Sequence, residues 1–225
     1  MQAVILAAGK GLRLRPFTEN HPKPLIPIAG KPLIEYTLES LPDNTTEIII
    51  VVGYLSEQII SHLGDSWHGK PIKYINQNVL LGTGDAILQA KSVVDQNFLV
   101  VNGDDLYDKT DLTKLLDYPF SILAWPSTSP SERGLSKDEN GKLIGFSETS
   151  TLVNCGAYHL TKEFFQNELV GITVHDKTEY SLPHTLVEIA DENDVAVVEA
   201  KHWLPVGTPE QLKFANEYYI HKLKP

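Results

Sequence analysis

Met1-Gln2-Ala3-Val4-Ile5-Leu6-Ala7-Ala8-Gly9-Lys10-Gly11-Leu12-Arg13-Leu14-Arg15-Pro16 opens the chain, and its reading decides the fold. Residues 3–8 form a short apolar run around Val4, Ile5 and Leu6. A run of that length with no polar alternation reads as a strand buried on both faces, which is the habit of parallel sheets. The strand breaks at Gly9-Lys10-Gly11. From there to Lys31 the chain carries Lys10, Arg13, Arg15, Lys23 and Lys31 against one acidic residue, Glu19. The protein as a whole has formal charge -10 and three arginines, two of them in this loop. A basic, glycine-containing loop at the end of a buried strand is suited to phosphates: glycines let backbone N–H groups approach, and the cations offset the charge. The loop is neither of two familiar phosphate motifs. No second glycine precedes Lys-Ser or Lys-Thr, and the third glycine of the dinucleotide fingerprint is replaced by Leu14.

Outward from this loop, strands and amphipathic helices alternate. Pro32 is placed in the first turn of a helix whose buried face carries Leu33, Ile34, Thr37, Leu38 and Leu41. Glu47 to Val52 reads as a second buried strand, Ser56 as the N-cap of a helix through Leu63, and Lys73 to Asn76 as a third strand. A loop from Gln77 to Gly84 opens a helix with Ala86, Ile87, Ala90, Val93 and Val94 on one stripe, and Phe98 to Asn102 is a fourth buried strand stopping at Gly103-Asp104-Asp105. This pattern predicts an α/β fold: a doubly wound, mainly parallel, Rossmann-like sheet with helices on both faces. Ligands of such sheets lie beyond the carboxyl ends of the strands, where the glycine loop, Gln77 and Asp104 all fall.

After residue 118 the pattern changes. Ser121–Trp125, Lys142–Glu148 and Leu152–His159 read as strands of a mixed β extension, a helix is expected over Thr178–Ala190, and a strand over Val195–Ala200. Thr208-Pro209-Glu210-Gln211 offers an N-cap, a proline at the first helical position and a capping-box glutamine. Its helix carries the stripe Leu212, Ala215, Tyr218 and Tyr219. We read residues 1–225 as one domain with two halves, 1–118 and 119–225. The chain contains no hexapeptide β-helix repeats.

Composition excludes several classes. No stretch approaches the roughly 20 apolar residues of a membrane span. The start of the chain lacks the basic region of a signal peptide, so a cytoplasmic protein is expected. The acidic balance argues against nucleic-acid binding. One cysteine rules out an internal disulfide, and the eight histidines show no zinc-ligand spacing.

Leu6-Ala7-Ala8-Gly9-Lys10-Gly11-Leu12-Arg13-Leu14-Arg15-Pro16, followed by Pro22-Lys23-Pro24-Leu25-Ile26-Pro27, resembles the two-part signature of the sugar-1-phosphate nucleotidylyltransferases. The family's usual Thr or Ser before the arginine is Leu12 here. The resemblance implies transfer of a nucleoside monophosphate from an NTP to a sugar 1-phosphate. It implies Arg13, Lys23 and Asp104 as catalytic residues, with Asp104 also on Mg²⁺. It implies nucleotide contacts from Leu6, Ala7, Ala8, Gly9, Lys10, Gly11, Gln77, Gly82 and Thr83, and sugar contacts from Gly134, Glu148, Asn154 and Gly156. Leu6-Ala7-Ala8-Gly9 is closer to the uridylyl and thymidylyl branch than to the guanylyl one, so UTP or dTTP is expected. The expected partners are thus an NTP and a sugar 1-phosphate, without nucleic acid or membrane, and a homo-oligomer stays open. Two departures stand out: Thr149 takes the place of the lysine that follows Glu148 in many members, and Pro205 takes the place of a second metal aspartate. Two alternatives stay in play: a related cytidylyltransferase acting on another phosphorylated alcohol, and, suggested by Thr149 and Pro205, a degenerate member that binds nucleotide but turns over weakly.

Overall fold

The structure is a computed structural model and describes residues 1–131, 133–174 and 176–223. In chain order its strands and helices are β1 (Gln2–Ala7), β2 (Pro27–Ile28), β3 (Lys31–Pro32), α1 (Leu33–Glu39), β4 (Glu47–Val52), α2 (Ser56–Leu63), β5 (Ser66–Trp67), β6 (Lys70–Asn76), α3 (Thr83–Gln89), β7 (Asn97–Asn102) and β8 (Asp105–Tyr107). There follow α4 (Lys109–Leu115), β9 (Phe120–Pro126), β10 (Gly134–Lys137), β11 (Leu143–Ser147), β12 (Leu152–Thr161), β13 (Gly171–Val174), β14 (Lys177–Tyr180), α5 (Leu182–Ile189), β15 (Val195–Glu199), β16 (Trp203–Pro205) and α6 (Pro209–Leu223).

The predicted α/β architecture is present. Eight strands form one sheet in the order β15-β9-β12-β7-β1-β4-β6-β5. β1 lies near the middle, parallel to both β4 and β7, and β6 continues the parallel set. β12 runs antiparallel to both β7 and β9, which makes the sheet mixed. β9 and β15, parallel to each other, therefore share the direction of β1. Every residue of β1 is buried. Side chains alternate across a strand, so Val4 and Leu6 enter the core layer with Ile87 of α3 and Leu186 of α5, while Ala3, Ile5 and Ala7 face the opposite layer with Ile34 of α1, Ile59 of α2 and Leu112 of α4. Each fully buried Ile or Val contributes about 2 kcal/mol. A third, smaller cluster ties Leu14 and Ile26 of the basic loop to Leu106, Val206 and Leu212, fixing the loop against β8, the segment after β16, and α6.

Several local expectations need correction. β6 begins at Lys70, three residues before the predicted start, because Ile72 reaches the core and Ile48 of β4 pairs with it. Pro32 precedes α1 as an extended residue rather than lying in its first turn. Ser56 is the first residue of α2, not its cap; Leu55 occupies the cap position with φ 52° and makes no side-chain capping bond. α3 ends at Gln89, so Val93 and Val94 pack from the turns after it. Gln211 Oε1 accepts from Gly207 N at 2.8 Å, one residue before the expected capping-box partner. The largest error is the helix expected from Thr178. Lys177–Tyr180 is a strand of the β13–β14 hairpin, and α5 starts only at Leu182, capped by Ser181 Oγ, which accepts from His184 N.

Candidate active site

Because β1, β4, β6 and β7 are parallel, their carboxyl ends open on one edge. A cleft of about 520 Å³ lies there. Its lining brings together Leu6, Ala8, Gly9 and Lys10 from the end of β1, Gln77, Gly82 and Thr83 from the loop into α3, and Asn102 and Asp104 from the end of β7. Its remaining wall is the hairpin the sequence reading missed, with Ile172, Val174, Lys177, Glu179 and Tyr180.

The glycines of the loop have different reasons to be there. Gly11 has φ 60°, and a Cβ on it would sit 2.9 Å from Thr18 Cγ2, so the protein itself requires glycine. At Gly9, which lines the cleft, a Cβ would meet nothing within 4 Å. Gly82 has φ 93°, and its Cβ would fall 2.5 Å from Tyr180 O. The α3 loop and the hairpin are thus in backbone contact. Tyr180 N donates to Leu81 O at 2.6 Å, and Leu182 N to Thr83 Oγ1 at 3.1 Å.

At the charged end of the cleft stands Asp104, with the buried Lys23 paired to it. Lys23, buried at the start of a short 3-10 turn, places Nζ 2.7 Å from Asp104 Oδ2. Asp104 keeps 34% of its side chain exposed toward solvent. Its neighbour Asp105, the first residue of β8, is buried, and its Oδ1 accepts from Val206 N at 3.1 Å. Burial, with the charge of Asp104 added, pushes the Asp105 carboxyl up to about 7. Among the described residues no group of three or more His, Cys, Asp or Glu side chains converges. Two carboxylates line the cleft, Asp104 at the strand ends beside Lys23 and Glu179 on the hairpin. Mg²⁺ keeps several waters and is commonly held by one or two carboxylates plus substrate phosphates, so this donor set fits it. Pro205 lies opposite Asp105 in the β8–β16 pair and offers no side-chain ligand.

Other predicted residues stand outside the cleft lining. Ala7 faces the opposite core layer. Arg13 is exposed, with its guanidinium against Gly207, whose added Cβ would lie 2.9 Å from Nη2. Gly134 packs against the backbone of Ser150. Glu148 is exposed in the turn after β11. Asn154 spends its amide internally: Oδ1 accepts from Gly156 N at 2.9 Å and Nδ2 donates to Tyr158 Oη at 2.9 Å. Gly156, at φ 70°, leaves room for Asn102, since a Cβ there would fall 2.1 Å from Asn102 Nδ2. Asn102, Lys177 and Glu179 are cleft residues that the sequence reading did not single out.

Gln77 is buried at the floor of the loop. Its Nε2 donates to Asp85 Oδ2 at 2.7 Å and to Gly82 O at 3.1 Å. Asp85 Oδ1 accepts from Gln89 Nε2 at 3.0 Å.

The sequence profile of the family described as "Nucleotidyl transferase" matches residues 2–222. The chain is 36% identical over 231 residues to the bifunctional protein GlmU of Methanocaldococcus jannaschii, covering 99% of this chain and 55% of that protein. It spans about half the length of the curated GlmU relatives it matches. It is 36% identical over 175 residues to the D-glycero-alpha-D-manno-heptose 1-phosphate guanylyltransferase of Campylobacter jejuni, covering 74% of this chain and 79% of that one. In fold it matches, with a TM-score of 0.81 and 22% identity over 97% of this chain and 95% of the other, a Bacillus anthracis protein assigned as a glucose-1-phosphate thymidylyltransferase and solved with sucrose.

Proposed function

This chain belongs to the nucleotidyl transferase family, and on that premise we propose that it transfers a nucleoside monophosphate from UTP or dTTP to a sugar 1-phosphate. One observation carries the reading. A single cleft at the strand ends joins a glycine loop, a buried amide and Asp104, whose carboxylate is paired with the buried Lys23. A phosphate oxygen of the sugar phosphate attacks the α-phosphorus of the NTP, the bond from that phosphorus to the bridging oxygen breaks, and pyrophosphate leaves. The nucleophile needs no side-chain base, because a phosphate monoester has a second pKa near ~6 and is already largely dianionic at neutral pH.

The work left for the protein is positioning and charge compensation. The backbone of Gly9 to Gly11 and the Lys10 ammonium face the triphosphate. Lys23 stabilises charge growing on the departing pyrophosphate, and Arg13, whose guanidinium lies against Gly207, would have to swing from there to reach it. Asp104 is the residue that would hold Mg²⁺. Bound there, the ion would offset phosphate charge. Leu6, Ala8, Gly82 and Thr83 enclose the nucleoside, and Gln77 hydrogen-bonds its base. On the sugar side Glu148 accepts from hydroxyls, Asn154 and Gly156 shape the strand that places Asn102, and Gly134 lets the 150 turn pack closely. With Thr149 in the place of a lysine, Lys177 on the hairpin is the cation we assign to the sugar phosphate.

Pyrophosphate release from UTP, dTTP, CTP and GTP, each offered a panel of sugar 1-phosphates, tests this reading. The expected result is sugar-phosphate-dependent release from UTP or dTTP. A preference for CTP with a different phosphorylated alcohol, or nucleotide binding without release under every condition, overturns it.

A further inference from the structure

Gln77 is a primary amide, with two donor hydrogens on one side and an acceptor oxygen on the other. Which side faces the cleft decides which bases it pairs with. Asp85 settles the matter. A carboxylate only accepts, so the group 2.7 Å from Asp85 Oδ2 must be Nε2, and the second Nε2 hydrogen is used by Gly82 O at 3.1 Å. Both donors are thereby turned into the loop. The group left for the cleft, which Gln77 lines, is the carbonyl Oε1. Asp85 is itself held: it is buried in the first turn of α3, and Gln89 donates to its other oxygen.

We propose that Asp85 is a positioning residue that sets nucleobase preference by locking the Gln77 amide with its acceptor toward ring position N3 of a pyrimidine, so that the cleft selects a base whose N3 carries a hydrogen. Uracil and thymine present such a donor at N3. Cytosine presents an acceptor there, and two acceptors facing each other leave both unpaired. The inference rests on the reading of Gln77 as the base contact, and the test separates the two.

Titration calorimetry with UTP and with CTP, each with Mg²⁺, measures the ratio of the two dissociation constants without needing the sugar substrate. Asp85→Asn keeps the shape but can donate as well as accept, which frees the Gln77 amide to turn. The expected result is a UTP preference lowered by about tenfold, the scale of one mispaired buried group. In a Gln77→Ala background the same change should leave the ratio alone. If Gln77→Ala lowers the preference and Asp85→Asn does not, the positioning role is wrong and the base reading stands. If neither changes the ratio, the base reading falls first and the inference with it. Equal weakening of both nucleotides by Asp85→Asn marks a purely structural role and overturns the proposal. Should Asp85→Asn fail to fold, Gln89→Ala on the exposed side of α3 takes its place. It should lower the ratio by about threefold, since it loosens Asp85 without removing it; an unchanged ratio there overturns the proposal.

Discussion

Adding one methyl group to either of two glycines should have opposite consequences, and the structure says why. At Gly9 the new Cβ meets no atom within 4 Å, and the backbone is not left-handed. Gly9→Ala should therefore leave stability unchanged, or raise it by up to about 1 kcal/mol through a less flexible unfolded chain. If the triphosphate lies against this loop, the methyl group occupies ligand space. Overpacking of that kind costs about 1–3 kcal/mol, which weakens NTP binding by roughly 5- to 150-fold. At Gly82 the situation reverses. Its φ of 93° and ψ of -177° belong to a region essentially restricted to glycine, and Tyr180 O stands 2.5 Å from the would-be Cβ. The backbone strain alone costs about 1–3 kcal/mol. With a urea m-value of about 2 kcal/mol/M, Gly82→Ala should move the unfolding midpoint down by roughly 1 M. Urea denaturation and calorimetric titration with an NTP measure both effects on the same samples. Wild-type NTP affinity in a folded Gly9→Ala protein would refute the placement of phosphates on this loop. A Gly82→Ala protein with an unmoved midpoint would refute the packing argument.

Further outcomes are expected at the charged end of the cleft and in the core. Lys23→Ala should lower turnover by roughly 10²-fold or more, the scale of a lost transition-state donor, with the fold retained; a wild-type steady-state rate contradicts its role. Asp104→Asn should abolish most Mg²⁺-dependent turnover. Asp105→Asn, which keeps an oxygen for Val206 N, should not, and equal loss in both would show that the two carboxylates share one task. His159 is buried with Nδ1 at 2.6 Å from Tyr118 O, and burial holds its pKa below the ordinary value of about 6.5. The unfolded chain then binds the proton more readily, so stability should fall as pH drops below about 6.5. Replacing His159 with Asn should flatten that part of a urea-midpoint profile; an unaltered slope assigns the dependence elsewhere.

The parts of the molecule that the sequence revealed are those where one force dominates. The apolar runs of β1, β4 and β7 could be placed within a residue because strands buried on both faces leave no other use for such a run. The hairpin failed for the converse reason. Lys177–Tyr180 has no apolar alternation, and its place is fixed by backbone pairing with β13 and with Leu81, which leaves no mark on side-chain pattern. Leu55 in a left-handed conformation was equally invisible, since Ser56 beside it is the better cap by residue type. At the candidate site, Asp104 and Gln77 were singled out through their motif neighbours, and both line the cleft. Asn102 was passed over because asparagine at a strand end is ordinary turn chemistry; only the collision that a side chain at Gly156 would cause shows how closely it is held. Asp104 was singled out over Asp105 by the family resemblance; the structure sets Asp104 beside Lys23 and turns Asp105 to Val206 N.

The clamp between the α3 loop and the hairpin is made largely from main-chain atoms: Tyr180 N on Leu81 O, and Gly82 against Tyr180 O. Such a joint is indifferent to most side chains but sensitive to spacing. Point substitutions along Lys177–Tyr180 can therefore accumulate and retune what the cleft accepts, as long as the residue count is kept. Inserting or deleting a single residue between Lys177 and Leu182 would slide every partner by one step and unseat the helix cap at Ser181 together with the hairpin wall of the cleft. The hairpin is thus a region where a lineage, or a library, can diversify by exchange but not by change of length.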